Sequence, residues 1–129
     1  MHALSSYDYA LIKVVPSVER GECLNVGILL FCPTLRFFQV RIHLDPARVL
    51  ALDPHIDLLT IQEHLNSIVH ISNGEKEAGR LGQMSQSERF HWLVSPRSTI
   101  IQTSSVHTGL CSDPEATLEH LLKTMVYHF

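Results

Sequence analysis

Between Glu88 and Leu110 the chain reads ERFHWLVSPRSTIIQTSSVHTGL, where two arginines, two histidines, a tryptophan and several hydroxyl residues stand between short apolar runs. Residues of these types hold anions. A guanidinium presents a planar fork of N–H donors that matches a carboxylate or phosphate, and hydroxyl and backbone N–H groups add further donors. Arg89, His91, Arg97, Ser98, His107 and Thr108 are therefore the candidate binding residues, joined by Thr99 and by Gly109, where backbone could approach a ligand. A Ser95-Pro96 turn between neighbouring strands would fold the two halves together, so Arg89, His91, Arg97 and His107 are expected to share one solvent-accessible concavity. Trp92 could stack on a ligand, although a lone tryptophan in a short apolar run is more often core.

The turn Glu19-Arg20-Gly21-Glu22, followed by Asn25 and Gly27, is a second unusual spot and makes Arg20, Glu22 and Asn25 secondary candidates. Its plainer reading is a solvated loop, with Gly27 allowing close packing against a neighbouring backbone.

Other chemistries fit less well. The chain has no G-x-S-x-G elbow, and Cys111 is the one cysteine in a thiolate-favouring setting, with His107 four residues before it and a helix start just after it. An inert core thiol is the simpler account. His91, His107 and Cys111 are the ligand types that could converge, but no CxxC or HxxxH pair accompanies them, so neither a metal site nor a cofactor is expected.

At 129 residues the chain suits a single domain, 1–129. A net charge of -3 argues against a nucleic-acid-binding surface or attraction to anionic lipid. Three cysteines without a CxxC pair, and no basic-then-apolar leader, point to the reducing cytoplasm. The longest apolar run, Val26 to Cys32, is far shorter than the roughly 20 residues a membrane-spanning helix needs.

These side chains need a scaffold. Tyr9–Val15, Leu24–Phe31 and Phe37–Leu44 read as strands, the second apolar on both faces and the third alternating, with Phe38, Val40, Ile42 and Leu44 inward and Phe37, Gln39, Arg41 and His43 outward. Asp45-Pro46 starts a short helix to about Leu52, and Leu58–Ser72 carries a helical apolar stripe that Asn73-Gly74 ends. Gly74–Ser87 reads as an exposed connection, and Phe90–Val94 and Thr99–Val106 as two more strands. Ser112-Asp113-Pro114-Glu115 then opens a last helix reaching Val126. The order predicts an α+β fold: a mainly antiparallel sheet of about five strands with helices packed on one face.

Two blocks, YDYALIKVVPSVERGECLNVGILLFC at 7 to 32 and RFHWLVSPRSTIIQTSSVHTGLCSDPEATLEHLL at 89 to 122, resemble the bacterial domain-of-unknown-function family DUF3037 over nearly the whole length. The resemblance brings no activity, cofactor or catalytic residue. It implies a context, because such proteins are similar to ones encoded beside a HipA-like serine/threonine kinase. The leading expectation is thus a cytoplasmic protein-binding or regulatory module, an accessory partner of that kinase, using the arginine-histidine surface and the outward face of the third strand. The alternative is a small enzyme acting on a phosphorylated substrate, with Arg89 and Arg97 gripping the phosphate and His91 or His107 transferring a proton.

Overall fold

The three β-branched and aromatic segments form an antiparallel meander: β1 (Ser5–Val14), β2 (Leu24–Cys32) and β3 (Phe37–Ile42), in the order β3-β2-β1. A computed structural model describes residues 3–97 and 99–127. The turn from β2 to β3 closes with Arg36 in the left-handed region, φ +50°, its N–H donating to the Pro33 carbonyl at 3.0 Å. Two short strands, β4 (Ile101–Thr103) and β5 (His107–Cys111), pair antiparallel with different parts of the free edge of β1. Between them Ser104 bonds to Leu11 in both directions, its hydroxyl accepting from the Leu11 N–H at 2.8 Å and its own N–H donating to the Leu11 carbonyl at 2.9 Å.

The five-stranded antiparallel sheet and the α+β class agree with the sequence pattern, but helices cover both faces of the sheet rather than one. One layer comprises α1 (Pro46–Leu52), α2 (Leu58–Ser72) and α3 (Gln86–Leu93). It buries Val49, Ile61, Leu65, Phe90 and Leu93 against Ala10, Ile12, Val14, Leu29, Phe31 and Phe38. The other comprises α4 (Pro114–Leu121), continued by a π-helical turn over Leu122–Val126, and packs Leu118, Leu121, Leu122 and Val126 on Ile28, Leu30, Cys32 and Cys111. The reason lies in β2, whose apolar residues alternate between the layers and need cover on both sides.

That alternation contains a phase change. Lys13 faces Asn25 while Ile12 faces Gly27, so Val26 is an extra residue, a β-bulge. Leu24 and Val26 therefore join the same layer as Leu29 and Phe31. Asn25 turns to the other side, where its amide donates to the Met125 carbonyl at 3.1 Å. Gly27 is required by close approach, since a Cβ there would lie 2.8 Å from the Arg41 carbonyl oxygen.

The supposed outward face of β3 is also occupied. Arg41 reaches Glu115 at 2.9 Å and Glu119 at 3.2 Å on α4, and Phe37 packs into the second layer. Much of this face is thus covered by α4, with His43 left exposed.

Two further expectations change. Phe90–Val94 is not a strand: Ser85 accepts from the Glu88 N–H and the Glu88 carboxylate accepts from the Ser85 N–H, a reciprocal cap that starts α3, and Phe90 and Leu93 then share a helical stripe. Gly74–Ser87 is a structured return, two short 3-10 turns over Lys76–Gln83 hinged at Gly79. Asp57 caps α2, a signal the sequence reading passed over, and Gly74 at φ +66° stops it as expected. Among the described residues no helix is long and apolar enough to cross a membrane.

Candidate functional site

The predicted anion cluster does not assemble as one constellation. Arg89 points inward, its Nε donating to the Met84 carbonyl at 3.0 Å and its Nη1 to the Ile71 and Ser72 carbonyls at 3.1 and 2.7 Å. These bonds tie the end of α2 to the start of α3 and occupy the fork with backbone. His91 is exposed on α3, its Nδ1 2.7 Å from the Ser87 carbonyl one turn back. His107 lies on β5 directly across from Tyr9, ring centroids 5.3 Å apart, on the face covered by α4, whereas α3 and Arg97 belong to the opposite face.

The other candidates are dispersed as well. The Thr108 hydroxyl donates to Asp8 at 2.9 Å across the strand pair. Ser98 lies outside the described residues. The space above Gly109 is taken by the Tyr7 ring, with a hypothetical Cβ only 2.6 Å from its Cζ, so that glycine accommodates an aromatic neighbour rather than a ligand. Arg20 and Glu22 pair with each other and line a cavity of about 270 Å³ beside Pro16 and Asp53, away from Asn25.

Cys111 is buried, and burial first, then the neighbouring Cys32, pushes its thiol above the ordinary value. A protonated, enclosed thiol is a poor nucleophile. Burial, with Tyr9 and Cys111 nearby, likewise raises the Tyr7 phenol.

What the fold does assemble is a groove between α2 and α3. Phe90 anchors α3 by packing on Phe31 and Phe38, at centroid separations of 5.3 and 5.7 Å. This fixes Trp92 toward solvent, 40% exposed. The Arg97 guanidinium lies 4.1 Å from the Trp92 ring centroid, within cation–π range, while its Nη1 and Nη2 donate to the Leu93 and Trp92 carbonyls at 3.3 and 2.7 Å. On one side of Trp92 a cavity of about 300 Å³ is floored by Ile68, Ile71 and Leu93, with His64 and Arg97 at its margin. On the other, a depression of about 310 Å³ shares Ser67, Ile71 and Trp92 and runs to His70 and Glu77.

Of the sequence-derived binding residues that are described, Arg97 and Thr99 line this groove, beside Trp92. Reading Phe90–Val94 as a strand hid the groove, because only a helical α3 sets Trp92 against α2. The Ser85-x-x-Glu88 spacing was the signal that could have revealed it.

The family model for DUF3037, described as a protein of unknown function, matches residues 9–126. The chain belongs to this family. No curated protein and no solved structure matches it. The match takes in the α2–α3 groove and every strand except the first four residues of β1.

Proposed function

We propose that this DUF3037 chain is a cytoplasmic protein-binding module, with the α2–α3 groove as its docking surface and a HipA-like serine/threonine kinase as its partner. The observation that carries this reading is the exposed Trp92 stacked under Arg97 at the centre of an apolar-floored groove. Tryptophan and arginine dominate binding energy at protein interfaces, where a large, stiff aromatic fills a pocket beside a fixed donor fork. A segment bearing an apolar side chain and a carboxylate or phosphate would fit, the first against Ile68 and Ile71 and the second at the remaining Arg97 donors. Three free cysteines, two of them buried, suit a reducing compartment.

The phosphorylated-substrate enzyme requires Arg89 and Arg97 to converge with His91 or His107. Arg89 is bound to backbone carbonyls, and His107 lies on the other face, so the binding reading needs fewer rearrangements.

Trp92 is the only tryptophan in the chain, so its fluorescence reports on the groove directly. Titration with the purified kinase should change its emission saturably, and Trp92→Ala should weaken calorimetric binding at least about tenfold, as for an interface hot spot. Kinase binding of equal affinity by wild type and Trp92→Ala would place the docking surface elsewhere; no binding to the kinase would remove the partner assignment.

A further inference from the structure

The end of α2 doubles back. After Gly74 the Glu75 N–H returns to donate to the His70 carbonyl at 3.0 Å. This return sets the Glu75 carboxylate in direct contact with His70 Nδ1, and the following turn brings Glu77 to the same place. One ligand atom from each of His70, Glu75 and Glu77 lies within 4.8 Å of the other two. The backbone beneath is firmly held: Ala78 N–H donates to the Glu75 carbonyl at 3.1 Å, and Gly82 sits so near that a Cβ would fall 2.3 Å from the same oxygen.

Two separate observations point to a cation. The Glu77 carboxylate makes no ion pair or hydrogen bond among the described residues, although it stands beside a second carboxylate. Like charges so placed repel, and a positive ion between them relieves the repulsion. The depression lined by His70, Glu77 and Trp92 also opens on the group, giving room for coordinated water or a ligand atom.

We propose that His70, Glu75 and Glu77 form a three-ligand site for a divalent transition-metal ion, with Zn²⁺ the best match and Mn²⁺ the next. The imidazole favours such ions over Mg²⁺ and Ca²⁺, which take all-oxygen shells, and the lack of a thiolate disfavours softer ones. Ligand atoms on one tetrahedral zinc, each bonded at about 2.0–2.2 Å, stand roughly 3.3–3.6 Å apart, so side-chain rotation has to part His70 from Glu75 and draw Glu77 in. Three protein ligands leave an open position, and here it faces Trp92. The site stands on its own residues and does not depend on what the groove binds.

The test is calorimetric titration of the intact chain with ZnCl₂, together with quenching of Trp92 fluorescence by Co²⁺ as a paramagnetic substitute. Wild type should bind one zinc ion saturably. His70→Ala, Glu75→Gln and Glu77→Gln should each weaken binding by at least about tenfold, since loss of even a residue that supports a ligand has that effect. His120→Ala, on α4 across the sheet, should bind zinc and quench as wild type does. Glu77 is exposed, so its variant separates ligand loss from misfolding, and an unchanged thermal unfolding curve confirms the separation. Absence of saturable zinc binding by wild type, or equal binding and quenching in Glu77→Gln and wild type, would overturn the site.

Discussion

The Arg97 side chain donates to the Trp92 carbonyl at 2.7 Å while its guanidinium covers the ring of the same residue, so one arginine both closes the end of α3 and holds the groove's aromatic in place. Its role is therefore double, and removing it should be felt in stability as well as in recognition. Arg97→Ala is expected to cost about 1 kcal/mol, the sum expected from a partly exposed cation–π contact and modest net hydrogen bonds. Urea unfolding measures this. A variant as stable as wild type would mean that the helix end is satisfied by solvent.

Arg89 should act through folding alone. Its fork serves three backbone carbonyls, at Met84, Ile71 and Ser72, so Arg89→Met is expected to destabilise by on the order of 2–4 kcal/mol, as charged donors to part-buried acceptors are lost. The folded fraction should still bind the groove's partner with wild-type affinity. A stable variant with lost binding would return Arg89 to the recognition surface.

Leu121 and Leu122 belong to the second layer, both nearly inaccessible. Leu121→Ala or Leu122→Ala should each cost on the order of 2–5 kcal/mol through lost burial and the residual cavity. Equilibrium denaturation without a shifted midpoint in either variant would show that the layer refills the space.

The Thr60 hydroxyl and N–H, followed by the Leu59 N–H, hold the Asp57 carboxyl below its ordinary value of 3.8. A carboxylate whose folded pKa is depressed contributes stability above the unfolded value and loses it as pH falls through the folded one. Thermal unfolding followed below pH 4 should therefore show a loss that Asp57→Asn, which keeps a capping oxygen but does not titrate, reduces. Identical acid profiles for the two chains would assign the loss to other carboxylates.

The parts of the fold legible in the sequence were those written in local chemistry. The strands around Ala10, Leu29 and Val40, the Asp45 cap and the Gly74 stop all carry their own signals. The failures came where a neighbour decided. FHWLV at 90 to 94 has strand-like composition, but the reciprocal Ser85–Glu88 cap commits it to a helix. Arg41 reads as a solvent-facing residue until α4 supplies Glu115 and Glu119. The candidate site suffered likewise: Arg97 was found by type, whereas His70, Glu75 and Glu77 meet only because the chain reverses after α2, which spacing along a helix does not announce.

The extra residue at Val26 restricts how this chain can change in length. Removing one residue from β2 would realign its start, carrying Leu24 out of the first layer and driving the Asn25 amide into it. A polar side chain forced there would lack partners, and two interiors would be disturbed by a single deletion. Length differences among related chains should therefore spare 24–32 and gather instead at connections such as the exposed residues around Val18 to Cys23, where an added residue displaces only water.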